Sequence, residues 1–141
     1  MQMNVTLERV NDAVHFVADN SMGHTIDIDG AERVGGVDAG FRPMQMVLAA
    51  VGGCSVMDLV AILSKQRAGL QDIKIRVTGE RETGGVANPF SAIHIHYDLY
   101  GEVDREKAER AVQLAVEKYC SVAEMLKATV KITYDFSIIS V

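Results

Sequence analysis

Cys54 and Cys120 are the residues of this chain best suited to do chemistry. A thiolate is a nucleophile, can be oxidised to a sulfenic acid, and can close a disulfide with a second thiol. In a reducing compartment two cysteines are more often free thiols, metal ligands or catalytic groups than a structural staple. These two are far apart in sequence, so they can bond only if the fold brings their Cα atoms within roughly 7 Å. Cys54 follows Gly52 and Gly53, and within a helix each glycine costs about 0.8–1.0 kcal/mol relative to alanine. Two readings justify that cost: close packing of the helix, or open space through which a partner group reaches the sulfur. Cys120 sits between Tyr119 and Ser121, at the junction of two expected helices. The plainer reading of such a cysteine is a small buried hydrophobe.

The elements that must position these sulfurs follow from periodicity. With 141 residues and an apolar share of 48%, the chain is expected to form one domain over residues 1–141. Short alternating runs over residues 5–28 predict two or three antiparallel strands. Residues 30–40 hold four glycines and read as a mobile loop, with no phosphate-loop signature. Pro43 opens a stretch to about residue 67 that is apolar around nearly its whole circumference, which predicts a long, buried central helix. Lys65, Gln66 and Arg67 suit its C-terminal end. Ile73, Ile75 and Val77 alternate with Lys74, Arg76 and Thr78, and residues 93–99 alternate likewise, predicting a hairpin with one buried face. Asp104 is expected to cap a helix ending near Tyr119–Cys120, Ser121 to cap a short one through Lys127, and a last strand to run over residues 130–139. Strands, a long helix, more strands and then helices make an α+β domain.

The net charge of −5 is mild and the cations are scattered, which argues against nucleic acid or a membrane surface as a partner. The N-terminal residues lack a signal-peptide pattern, so a cytoplasmic location is expected. No Ser-His-Asp order, paired-carboxylate motif, dinucleotide fingerprint or phosphate loop is present, so no cofactor is expected. His94 and His96 alternate onto one strand face and could join His24 or a cysteine around zinc, but a His-x-His on a strand is more often a polar solvent face, and no metal is expected. Met44, Met46, Met57 and Met125 could line a flexible apolar pocket, although such methionines are usually adaptable core. Asp58, one helical turn beyond Cys54, reads as a hydrogen-bonding or ion-paired side chain. Glu117, one turn before Cys120, reads as a solvated or capping contact.

The segment Pro43-Met44-Gln45-Met46-Val47-Leu48-Ala49-Ala50-Val51-Gly52-Gly53-Cys54-Ser55, continued by Asp58-Leu59-Val60 and Lys65-Gln66-Arg67, resembles the first cysteine motif of the OsmC/Ohr family, the osmotically induced and organic hydroperoxide resistance proteins. Glu117-Lys118-Tyr119-Cys120-Ser121-Val122 resembles the second, and with residues 77–81 between them the resemblance covers residues 20–140. It implies an intertwined α+β homodimer with antiparallel sheets and central cysteine-bearing helices. It also implies a thiol-dependent peroxidase that reduces organic hydroperoxides: Cys54 would attack the peroxide oxygen, Cys120 would resolve the sulfenic acid through an intramolecular disulfide, and a dithiol reductant would close the cycle. An arginine and a glutamate assist the thiolate in this family. Gln45 stands at the place of the glutamate, and Arg33 and Arg42 are the candidate arginines, with Asp58 as a further supporting residue. The alternative is a non-enzymatic dimer of the same fold that binds a small apolar ligand or senses oxidants.

Overall fold

The alternating and helical patterns of the sequence resolve, in a computed structural model describing residues 1–141, into two compact units, Met1–Val47 and Leu48–Val141. In the first, β1 (Thr6–Arg9), β2 (Phe16–Asp19) and β3 (Thr25–Ile28) form an antiparallel meander in chain order. Asn11 and Asn20 accept backbone N–H bonds within the two turns, the role expected of short polar side chains there.

The glycine-rich connection after β3, expected to be mobile, is instead laced onto one carboxylate. Asp29 is 1% exposed. Its Oδ2 accepts from the Val37 and Ala39 amides at 2.9 and 3.0 Å, and its Oδ1 from Gly30 at 2.8 Å. These donors, Ala39 first and then Val37, hold the carboxyl below its usual range. Gly36 and Gly40 lie where a Cβ would collide with the backbone of Gly30 and Asp27, so glycine permits the chain to fold back on itself.

The second unit is built on α1 (Pro43–Lys65), β4 (Leu70–Arg81), β5 (Phe90–Gly101), α2 (Arg105–Leu114), α3 (Ser121–Leu126) and β6 (Lys131–Ile139). Its first helix begins in the preceding unit and carries Cys54 within the second. The sheet order is β4-β5-β6. β4 and β5 pair antiparallel as the hairpin pattern predicts, with Ile75 opposite Tyr97 and Val77 opposite Ile95. β6, however, pairs parallel to β5. Parallel neighbours need a crossover, and α2 and α3 supply it.

The inward face of β5 is Ile93, Ile95, Tyr97 and Leu99, all essentially buried. Against this core α2 turns Ala108, Ala111 and Val112, one helical face. Asp104 caps α2 through the Lys107 amide at 2.9 Å. The long helix α1 departs from the all-round burial expected of it. Val51, Gly52, Ser55, Leu59 and Leu63 are buried, while Met57 is 74% exposed and Val60 37%. It is long and apolar enough to cross a membrane, yet one face is packed into the core and another is bare.

The outward face of the sheet carries the histidines. His96 Nδ1 lies 2.7 Å from Asp135 and its Nε2 3.0 Å from Asp98. Carboxylates only accept, so both ring nitrogens must donate and His96 is an imidazolium. His94 places Nε2 2.9 Å from Asp135 and Nδ1 2.7 Å from the Thr133 hydroxyl. The Asp135 bond is the largest cause of a raised His96 pKa. A raised folded pKa stabilises fully below the unfolded value, about 6.5, and the contribution is lost as pH rises through the folded value. Asp135→Asn is therefore expected to lower the His96 midpoint and weaken stability on the acid side of that window. NMR titration of the imidazole C–H signals checks this; an unmoved midpoint contradicts it.

Candidate functional site

The two glycines before Cys54 do different work. A Cβ on Gly52 would stand 2.7 Å from Val77 Cγ2 and 3.1 Å from Ile75 Cδ1, whereas one on Gly53 would meet nothing within 4 Å. Gly52 therefore lets α1 press onto β4, and Gly53 leaves its side of the helix open. Close packing and open space, the two readings of the pair, each hold for one residue. At about 100° per residue, Cys54 falls at the seam between the face of α1 buried on the sheet and the bare face, and is half-exposed.

Cys120 arrives from the other side through an irregular backbone. α2 does not run straight into α3; a π turn, Ala115–Tyr119, intervenes, and Cys120 itself leaves the helix with φ −71° and ψ 108°. Widened turns of this kind occur mostly as single insertions in helices. The N-cap of α3 is Cys120 and not Ser121 as expected: its Sγ accepts from the Ala123 amide at 3.3 Å. Ser121 is exposed.

Cys54 and Cys120 are both reduced, and the fold brings them close enough for Cys54 to bear on the Cys120 thiol. Cys120 is 2% exposed, with its sulfur 3.9 Å from the Val51 carbonyl on α1. Burial pushes the Cys120 thiol up to about 11, and the neighbouring Cys54 adds to the rise against the opposing Ala123 N–H. At neutral pH Cys120 is therefore a neutral thiol held beside a sulfur that solvent can reach.

The supporting residues divide between the two units. Asp58 shares the second unit with the thiols; it is half-buried, lies on the Cys54 side of α1, and forms no ion pair. It lines a hollow of about 400 Å³ with Ala61, Ile62, Lys65, Gln66, Leu114 and Tyr119. Gln66 Oε1 is buried without a hydrogen-bond partner. Gln45, in the first unit, accepts from the Arg42 amide at 2.9 Å and so closes the N-terminus of α1. The Arg42 guanidinium reaches Asp38 at 3.1 Å and the Gly40 carbonyl. Arg33 is exposed in a short 3-10 turn, Glu32–Val34. Glu117, expected in solvent or as a capping contact, is exposed, and the Tyr134 phenol is raised first by burial and then by that carboxylate. The methionines do not form an enclosed pocket, since Met57 and Met125 are 74% and 77% exposed. No group of three or more His, Cys, Asp or Glu side chains is arranged to hold a metal ion.

Ser55 closes the first cysteine motif, but neither that motif nor any spacing marks a role for it or for Tyr97. Tyr97 donates to Ser55 Oγ at 2.6 Å, and Ser55 donates to the Gly52 carbonyl at 3.1 Å. The only sequence signal was a hydroxyl at an inward position of β5, on a face otherwise filled by Ile93, Ile95 and Leu99.

An α+β chain with one helix-borne thiol at a seam and a second, buried thiol near it is a two-cysteine protein, and its cysteine motifs resemble those of the OsmC/Ohr family. Comparison with known proteins agrees. The OsmC-like protein family matches residues 35–135, and the chain belongs to that family. Protein YhfA of Escherichia coli K12 is 38% identical over 126 residues, 89% of this chain and 90% of YhfA. A hypothetical protein of Aquifex aeolicus superposes with a TM-score of 0.85 at 31% identity, covering 100% of this chain and 98% of that one. The Legionella pneumophila organic hydroperoxide resistance protein OsmC shares the fold, with a TM-score of 0.72 at 16% identity over 97% of each chain.

Gly52→Ala is expected to destabilise the chain by about 1–3 kcal/mol, because α1 must lift from Val77 and Ile75. Gly53→Ala gains about 0.8–1.0 kcal/mol of helix propensity and meets no neighbour within the chain. Urea denaturation of the two variants checks this; equal losses would contradict the division between the glycines.

Proposed function

We propose that the chain is a thiol-dependent peroxidase acting on organic hydroperoxides, with Cys54 as the attacking sulfur and Cys120 as the resolving one. The observation that carries it is the thiol pair itself: a half-exposed cysteine on the open side of α1, near a buried one whose thiol is held protonated by burial. The Cys54 thiolate takes the terminal oxygen of the hydroperoxide, the O–O bond breaks, and the alkoxide leaves as the alcohol after taking a proton. Cys120 then attacks the sulfenic sulfur; the S–S bond forms, the S–O bond breaks, and the Cys120 proton leaves with the hydroxyl as water. Two thiols of an external dithiol reductant restore the pair by exchange. The reaction needs no bound cofactor, and a reducing cytoplasm would supply the electrons. Membership of the OsmC-like family and the fold shared with an organic hydroperoxide resistance protein support this reading.

Open space beside Gly53 and an apolar flank next to Cys54 suit a peroxide with a carbon tail over hydrogen peroxide. Single-turnover thiol loss tests the activity. Cumene hydroperoxide is expected to oxidise Cys54 at least about a hundredfold faster than a free cysteine and faster than hydrogen peroxide does, yielding a Cys54–Cys120 disulfide by mass analysis. Cys54→Ser removes the fast phase, while Cys120→Ser keeps it and stops at a trappable sulfenic acid. Thiols no faster than free cysteine would overturn the proposal in favour of a non-enzymatic protein. That second reading draws on Arg42, whose guanidinium is engaged by Asp38, and on Gln45, which is spent on capping.

The working form in this proposal is a homodimer, with a second copy covering the bare face of α1. Large exposed apolar patches on soluble chains mark interaction sites, and Ala50, Met57, Val60 and Ala61 form one along the helix beside Cys54. Sedimentation is expected to give twice the chain mass of 15.3 kDa, falling to one chain in Met57→Asp. A wild-type monomer would contradict it.

A further inference from the structure

Tyr97 is unexplained by the thiol chemistry as it stands. It is the largest fully buried side chain of the protein, 0% exposed, on the inward face of β5 between Ile95 and Leu99. Phenylalanine would fill that volume without a polar atom to satisfy, and a buried hydroxyl is costly unless it is hydrogen-bonded. The tyrosine hydroxyl meets this demand in one place only: it donates to Ser55 Oγ at 2.6 Å. Ser55 is itself fully buried, and donates a hydrogen bond to the Gly52 carbonyl at 3.1 Å. A serine back-bonded within a helix bends it slightly, so this pairing acts on the backbone of the turn that holds Cys54.

Three contacts converge on that turn. Gly52 lies flat on Val77 and Ile75 of β4. Tyr97 of β5 grips it through Ser55, the residue after Cys54. The Cys120 thiol lies against the Val51 carbonyl, with its sulfur pinned by the Ala123 amide. The position of one sulfur is thus set by the α3 cap, and the position of the other by the relay from the sheet.

We propose that Tyr97 and Ser55 are positioning residues of the thiol pair: the relay Tyr97 to Ser55 to Gly52 fixes the Cys54 turn against β5 at the separation from Cys120 at which a disulfide closes. The inference rests on the two-thiol reading of the site and deepens it. Neither residue touches substrate, so removing the relay leaves the first oxidation of Cys54 nearly unchanged and slows or disfavours closure.

The test reads closure without any peroxide. The intact protein is equilibrated in glutathione redox buffers, where the Cys54 and Cys120 thiols together give two electrons and two protons to one glutathione disulfide. The products are the intramolecular S–S bond and two glutathione thiols. Tyr97→Phe and Ser55→Ala are each expected to lower the closure constant on the order of tenfold. The double variant falls no further than either single one, because both act through one relay. Ile95→Val, on the same buried strand face but outside the relay, serves as the control for lost packing. It is expected to leave the constant within about twofold of wild type. Closure constants for Tyr97→Phe and Ser55→Ala that stay within about twofold of wild type, or fall no further than the control, overturn the proposal. Should the wild type prove inert to peroxides while Tyr97→Phe still loses closure, the peroxidase reading fails and the positioning role stands.

Discussion

The contact of the Gly52 turn of α1 with the inward face of β4 and β5 sets the place of everything else in the second unit. Because Gly52 has no side chain, the helix backbone comes down onto Val77 and Ile75, and Ser55 comes within reach of the Tyr97 hydroxyl. That docking rotates α1 so that Leu59 and Leu63 enter the core and Met57 and Val60 do not. Cys54 then falls at the margin of the buried face. A helix docked even one residue out of phase would turn the sulfur by about 100°, into the core or onto the bare flank.

The second constraint is the interruption between α2 and α3. A continuous helix would carry residue 120 onward along its axis. The π turn and the extended backbone at Cys120 instead direct the sulfur at α1 and free it to cap α3 through the Ala123 amide. Burial and the neighbouring Cys54 sulfur raise its pKa to about 11. The asymmetry between the thiols therefore comes from the fold around them: the same side chain is reachable at the seam of α1 and protonated at the break after α2. The parallel strand β6 depends on the same crossover, and its Asp135 fixes His96 as an imidazolium on the opposite face of the sheet.

Much of this was legible in residue order. Strand alternation at Ile73, Ile75 and Val77 and the run after Pro43 located the hairpin and the long helix, and the two cysteine motifs marked the site. Three things were not. An apolar circumference on α1 says that no face prefers water, but it cannot say which face this chain covers itself; the bare side is a property of packing. The glycines of residues 30–40 suggested freedom, while the physical determinant was Asp29, whose ligands lie eight and ten residues away. Tyr97 and Ser55 are 42 residues apart, and no local pattern links a serine in a helix with a tyrosine in a strand. The capping of α3 by a cysteine was missed for a similar reason, since Ser121 is the better cap by type and only the backbone break decides otherwise.

The central claim is that the fold divides labour between two identical thiols, and alkylation of the reduced protein across pH, with each cysteine followed by mass spectrometry, tests it most directly. Cys54 should be modified first at neutral pH, with Cys120 resisting until the pH approaches about 11. Cys120 reacting at neutral pH as fast as Cys54 would contradict the account.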